Sequence, residues 1–183
     1  MKIGFIGCGN MGSAMLSGMI DSGRVKPQDI MVTDKLLASR VNTQKKYGVE
    51  IANTNTEVAM LSDIIILAVK PQSFGEVLPV IKANTFDGQV IISLAPGVTV
   101  EYLSQETGGK TKIVRTMPNT PAMVGEGMTA VCYGSNDFTA VEKKLVQDLF
   151  ETVGKMVELP ERLMDAAVVA NGSSPAFVYI FKF

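Results

Sequence analysis

The sequence predicts an α/β fold: a doubly wound, mostly parallel sheet with helices on both faces. Three observations carry that expectation. Short apolar runs alternate with helix-length segments along most of the chain. One of these runs, residues 64–69, is apolar throughout, as a central parallel strand covered on both faces must be. A glycine-rich loop joins the first run directly to the first helical segment.

The elements follow in order. Ile3–Ile6 is a short run of β-forming residues. Residues 11–22 place Met11, Ala14, Met15, Met19 and Ile20 at helical spacing, and Gly23 closes that helix. Ile30–Thr33 is the second strand, residues 36–47 a helix ended by Gly48, and residues 49–52 a third strand. Asn55 is placed to cap a helix running to Leu61. After the fourth strand at 64–69, a helix over 72–82 contains Pro79, which predicts a helix start or a kink there. Residues 90–94 are a fifth strand, 98–107 a short helix and 112–115 a sixth strand. Two further strands, 127–133 and 154–159, flank a helix at 139–152 whose Val141, Leu145, Val146, Leu149 and Phe150 form an apolar face. Residues 161–171 read as one more helix, interrupted by Gly172-Ser173-Ser174-Pro175. The segment 176–183 is apolar and prone to association. The expected division is a sheet domain over residues 1–160 and the start of an incomplete helical domain over 161–183.

Composition narrows the chemistry. The 183 residues are 46 % apolar and 19 % charged, which excludes disorder as the dominant state. Lys plus Arg is 17 against 18 Asp plus Glu, so no long-range field draws in nucleic acid. No stretch approaches the roughly 18 apolar residues of a membrane span, so neither nucleic acid nor membrane is an expected partner. There is no His, which excludes Ser–His nucleophiles, His general acids and His-ligated zinc within the chain. Two cysteines, Cys8 and Cys132, cannot build a disulfide framework, and a reducing, cytoplasmic compartment is expected. The glycines at 4, 7, 9, 12 and 18 break the opening segment too often for a secretory leader.

Four groups of residues point to a site. Gly7-Cys8-Gly9-Asn10-Met11-Gly12 has the G-x-G-x-x-G spacing between a strand and a helix. There the first glycine allows the turn, the second admits a pyrophosphate to the backbone, and the third lets helix and sheet pack closely. Asp34 ends the second strand, where an acidic residue bonds the adenosine ribose of NAD. Lys35 and Arg40 follow it, and either can neutralise the extra phosphate of NADP, so NADH and NADPH both stay open. Ala68-Val69-Lys70-Pro71 closes the fourth strand, where the nicotinamide end belongs if the strand order reverses there. Met117-Pro118-Asn119-Thr120-Pro121 follows the sixth strand as a stiff loop suited to positioning a substrate.

Taken together, these motifs resemble one family, pyrroline-5-carboxylate reductase. The matching segments, in chain order, begin with Ile3-Gly4-Phe5-Ile6-Gly7-Cys8-Gly9-Asn10-Met11-Gly12 and Leu67-Ala68-Val69-Lys70-Pro71-Gln72. Ser93-Leu94-Ala95-Pro96-Gly97-Val98, Arg115-Thr116-Met117-Pro118-Asn119-Thr120-Pro121 and Asn171-Gly172-Ser173-Ser174-Pro175-Ala176-Phe177 complete the set. The resemblance implies a Rossmann-like domain followed by an all-helical domain that dimerises, and reduction of the cyclic imine Δ1-pyrroline-5-carboxylate to L-proline with NADPH or NADH. It also implies a homo-oligomer formed through C-terminal helices. Of the site residues, Lys70, Asn119 and Thr120 are the expected catalytic group. Gly7, Gly9, Asn10, Met11, Gly12, Asp34, Lys35, Asn55, Ala68, Val69, Lys70, Pro71 and Ala95 are the expected cofactor group, Asn55 as the ribose contact. No metal is expected.

Three departures from the family pattern stand out. Pro96 replaces a smaller residue, Ser174 replaces a glycine, and the family continues for about one small domain more. Because that further part carries groups for the substrate carboxylate and most of the dimer contact, cofactor binding is expected of this chain. Full activity is expected only with another chain's help. Two other readings stay open: a non-catalytic dinucleotide-binding module, and another Rossmann imine or β-hydroxyacid reductase.

Overall fold

A computed structural model describes residues 1–134 and 137–180. Strands β1 (Ile3–Ile6), β2 (Ile30–Thr33), β3 (Glu50–Ile51), β4 (Ile64–Leu67), β5 (Val90–Ser93), β6 (Lys112–Met117), β7 (Gly127–Tyr133) and β8 (Gly154–Glu158) form one sheet. Its order is β3-β2-β1-β4-β5-β6-β7-β8. Every pairing is parallel except β6 with β7. The link over residues 118–126 holds only a short 3-10 helix, Thr120–Val124, too little for a crossover. The order reverses between β1 and β4, where a crevice opens at the carboxyl ends of the strands.

The helices are α1 (Asn10–Asp21), α2 (Leu37–Tyr47), α3 (Asn55–Leu61), α4 (Phe74–Asn84), α5 (Val100–Glu106), α6 (Ala140–Glu151), α7 (Glu161–Ala167) and α8 (Ser174–Ile180). Strand residues alternate between the two faces of the sheet and so build two cores. Ile64 and Ile66 of β4 join Met15, Leu16 and Met19 of α1 and Leu149 and Phe150 of α6. Ile65 and Leu67 join Val58 of α3 and Leu78 and Ile81 of α4. This two-sided cover is why β4 carries no polar residue.

Three local expectations are corrected. The cap of α3 is Thr54, whose hydroxyl accepts from the Glu57 N–H, and Asn55 is the first helical residue. Glu57 returns a bond to the Asn53 N–H, so the pair fixes this start more firmly than Asn55 alone. The turn after Lys70 is a separate 3-10 helix, Pro71–Ser73, so the helix starts at Phe74 and not at residue 72, and Pro79 lies inside it, beyond the first turn. Gly172 to Pro175 do not interrupt the last helix. The chain widens into a π-helix, Val168–Ser173, and runs on into α8. Both the backbone N–H and the hydroxyl of Ser174 donate to the Val169 carbonyl five residues back, so the wide turn meets its hydrogen bonds before the Pro175 ring arrives. Phe177 and Ile180 are exposed, as the apolar tail predicts, and residues 181–183 lie outside the described residues.

The far edge of the sheet gives a prediction about acid. Glu142 closes a capping box on Thr139 at the start of α6, and both its oxygens accept from Lys112 Nζ of β6, at 2.7 and 2.8 Å. Those Lys112 bonds, and then the Thr139 N–H, hold the Glu142 carboxyl below the usual carboxylate range. A depressed carboxyl stabilises the fold above its unfolded value, and that contribution is lost as pH falls through its folded value. Glu142→Gln keeps the box and removes the charge. It is expected to cost about 1 kcal/mol at pH 7. Urea unfolding in steps from pH 7 to pH 3 should show the gap to the parent closing. A gap of constant size means that the pair does not carry the effect.

Candidate functional site

The crevice starts from three glycines with three different surroundings. Gly7 turns the chain out of β1 at φ +105°, and a Cβ there would meet the Ala68 carbonyl oxygen at 2.7 Å. Gly12, in the first turn of α1, has the Gly7 carbonyl oxygen at 2.8 Å and Ala68 Cβ at 2.9 Å from the same imagined atom. Gly9, the N-cap of α1, has nothing within 4 Å. The loop is therefore pressed onto β4 at its two ends and open at its middle. No side chain caps α1, and no acidic residue lies in its first turn, so its free N–H groups face the opening. Open backbone at Gly9 and free helix N–H groups make the cradle that a diphosphate needs, and the residues fit that group.

Beside the cradle lies a cleft of about 330 Å³, walled by Gly7, Asp34, Lys35, Arg40, Asn55 and Val69 among others. Asp34 is oriented by two backbone donors: the Cys8 N–H reaches Oδ2 at 2.8 Å and the Leu36 N–H reaches Oδ1 at 2.9 Å. It thus ties the glycine loop to the end of β2. Lys35 is exposed and 3.8 Å from Glu76. Cys8 is half-buried, and burial pushes its thiol up, which keeps it protonated beside the phosphate cradle. Burial does the same to Cys132, pushed up to about 12.

The remaining expected residues stand along the same carboxyl edge. Asn10 opens α1 and is exposed, while Met11 packs back on the core. Ala68 backs onto the glycine loop, and Lys70 is exposed ahead of the Pro71 turn. Pro71 borders a second groove with Phe74, Gly97 and Tyr102. Ala95 is buried just past β5. Asn119 and Thr120 follow β6, two strands from Lys70, a spacing of about 10 Å across the sheet. Thr120 is exposed.

Asn119 is bonded at both ends of its amide. Its Nδ2 donates to Asn171 Oδ1 at 3.1 Å, and its Oδ1 accepts from the Met128 N–H at 2.9 Å. Asn171 in turn donates to the Met117 and Met128 carbonyls at 2.7 and 2.8 Å. The two amides knot the end of β6, the start of β7 and the π-helix together. Arg40, which the sequence offers beside Asp34, walls the cleft, while Asn171 and the cleft residues Asn53 and Thr54 were not among the expected site residues. Asn171 lies in a recognised motif but reads there as a helix end, and the other two become neighbours of Asp34 only once β2 and β3 pair. Among the described residues no group of His, Cys, Asp and Glu is placed to hold a metal, and no helix is long and apolar enough to cross a membrane.

A doubly wound sheet with a glycine cradle at its switch point defines a Rossmann-like α/β fold. Residues 2–97 match the family model of NADP oxidoreductase, coenzyme F420-dependent. The pyrroline-5-carboxylate reductase of Escherichia coli is 40 % identical over 184 residues, covering 98 % of this chain and 66 % of that protein. That of Methanosarcina acetivorans is 38 % identical, covering 97 % and 66 %. A solved pyrroline-5-carboxylate reductase from Coxiella burnetii superposes with a TM-score of 0.92 at 31 % identity, covering 98 % of this chain and 67 % of that one. A Plasmodium falciparum pyrroline carboxylate reductase solved with NADP bound gives 0.82 at 33 %, covering 99 % and 66 %. The chain belongs to the pyrroline-5-carboxylate reductase family, and it spans about two thirds (66 %) of the length of the curated relatives it matches.

Proposed function

We propose that the chain binds NADPH or NADH and reduces Δ1-pyrroline-5-carboxylate to L-proline, as the reductase part of a cytoplasmic homo-oligomer. In this reading residues 1–160 hold the cofactor, and residues 161–183 lead into helices that join the subunits. The observation that carries it is the convergence of the glycine cradle, Lys70 and the Met117–Pro121 loop on one sheet edge, in a chain of this family.

Each group of the chain has a defined task. The open backbone at Gly9, Asn10 and Met11 holds the diphosphate, with Gly7 and Gly12 letting the loop lie against Ala68. Asn55 and the Asp34–Lys35 turn wall the adenosine end, and Ala68, Val69, Pro71 and Ala95 border the nicotinamide end. The reduced nicotinamide supplies a hydride when bound. The imine nitrogen is basic enough to arrive protonated and keeps that proton as the amine forms, so a chain without His lacks nothing the reaction needs. Lys70, an exposed cation, offsets the substrate carboxylate's charge, and Thr120 offers a hydroxyl from the loop after β6 on the same sheet edge. Asn119 acts through the loop it fixes and is a positioning residue.

Two measurements test this. Fluorescence titration should show saturable NADPH binding below millimolar cofactor, and none at millimolar cofactor removes the reading. Consumption of NADPH with pyrroline-5-carboxylate should yield proline. Binding without turnover assigns the chain to a non-catalytic dinucleotide module instead, and turnover of other imines in its place assigns it to another reductase of this fold.

A further inference from the structure

We propose that Asn171 is a positioning residue for imine reduction, and that the π-helix carrying it puts the substrate side of the crevice under the control of the helices that follow the sheet. The inference rests on the reductase reading above and extends it to the Met117–Pro121 loop.

Met164 and Ala167 of α7 are buried with Ala130 and Cys132 of β7. Asn171 continues that stripe at helical spacing, at a place where packing alone would call for an apolar residue. The chain there widens into the π-helix Val168–Ser173, a rare kind of turn that recurs at functional sites. It lies close on the end of β6: a Cβ at Gly172 would overlap the Met117 side chain.

At this point Asn171 uses both hydrogens of its amide. Nδ2 donates to the Met117 and Met128 carbonyls at 2.7 and 2.8 Å, which turns Oδ1 toward Asn119, whose Nδ2 donates to it at 3.1 Å. Asn119 is thereby turned too: with its nitrogen on Asn171, its oxygen accepts from the Met128 N–H at 2.9 Å. A flipped Asn171 would set its oxygen against two carbonyl oxygens, so one orientation is fixed along the whole relay. Asn119 is the N-cap of the 3-10 helix Thr120–Val124, yet its side chain spends its bonds on these partners and none on capping that helix. The loop that carries Thr120 is therefore held from outside itself. Among the described residues no hydrogen bond joins this relay to the glycine loop, so losing it should act on the imine and spare the cofactor.

The test compares the parent with Asn171→Ala, Asn119→Ala, the double variant and Asn171→Asp, by fluorescence titration with NADPH and by NADPH consumption with pyrroline-5-carboxylate. Turnover is counted per NADPH-binding site, so an unfolded fraction does not enter. Asn171→Ala is expected to lower kcat about thirtyfold while NADPH affinity stays within about twofold. Asn171→Asp keeps the shape and the acceptor but lacks the two donors, and should lose as much. Because the two amides act as one unit, Asn119→Ala should cost about the same, and the double variant no more than either. Hydrogen exchange at the Met128 N–H should rise in each variant. A kcat for Asn171→Ala within about threefold of the parent overturns the proposal. So does a double variant that loses the product of the two single losses, because Asn171 then acts apart from Asn119. A parallel loss of NADPH affinity overturns it as well, because Asn171 then only holds the fold. If Asn171→Ala does not fold, Asn171→Asp decides by the same readouts. A parent that binds NADPH and reduces no pyrroline-5-carboxylate overturns the reductase reading itself, and this inference with it.

Discussion

Gly12→Val is expected to abolish dinucleotide binding, and Gly9→Ala to weaken it by at least tenfold, for opposite reasons. At Gly12 a Cβ collides with atoms that cannot swing away: the Gly7 carbonyl oxygen lies 2.8 Å away and Ala68 Cβ 2.9 Å. Neither neighbour is the free end of a side chain, so α1 must move off the sheet and carry the cradle with it. Overpacking of this kind costs about 1–3 kcal/mol. Thermal unfolding of Gly12→Val should therefore shift down together with the loss of affinity. At Gly9 the protein itself offers no obstacle within 4 Å, and the backbone, at φ −72°, is one that alanine adopts. Gly9→Ala should leave thermal stability unchanged, because its methyl group occupies only the space the diphosphate would fill. The pair separates folding from binding. A Gly9→Ala variant that binds NADPH as the parent does would mean that the phosphates lie elsewhere.

That contrast also shows what the sequence made legible. The order of strands and helices follows from apolar period and turn residues, and the glycine spacing locates the cradle, because both are local properties of the chain. The roles of Asp34 and Asn119 are different. Asp34 at the end of a strand reads as a ribose ligand, and the structure adds that the Cys8 and Leu36 N–H groups each donate to one of its oxygens. Asn119 in a Pro-rich loop reads as a group aimed at substrate, and the structure adds that Asn171, fifty-two residues on, accepts from its amide. Both additions depend on hydrogen-bond partners brought in by tertiary pairing, which no window of sequence contains. The same holds at Ser174, where a Gly-Ser-Ser-Pro run suggests a break. The chain instead stays helical because one wide turn satisfies the Val169 carbonyl twice.

Tertiary pairing also sets the largest expected effect on stability. Arg115 on β6 is 2 % exposed, and its guanidinium reaches out of the sheet to two carboxylates of α7: Nη1 to Glu161 Oε1 at 2.7 Å and Nη2 to Asp165 Oδ1 at 2.6 Å. Glu161 Oε1 also accepts from the Val100 N–H, and Glu161 Oε2 is buried without a partner. Removing the guanidinium leaves Glu161, 39 % exposed and beside Cys132, with one buried oxygen and no cation to offset it. Arg115→Met is expected to cost about 3 kcal/mol. For a chain of this size that lowers Tm by about 6–12 °C. Asp165→Asn tests the other arm, and with Asp165 81 % exposed its cost should stay below about 1 kcal/mol. Adding Glu161→Leu to Arg115→Met removes the stranded charge and should recover part of the loss, as apolar replacement of a buried pair does elsewhere. If instead the double variant is no better than Arg115→Met, the cost lies in packing around the lost side chain and not in an unpaired carboxylate. Because α7 leads straight into the π-helix that carries Asn171, loosening it should raise hydrogen exchange through residues 161–174. The glycine cradle lies on β1 and α1, so NADPH affinity should hold at temperatures below the new Tm.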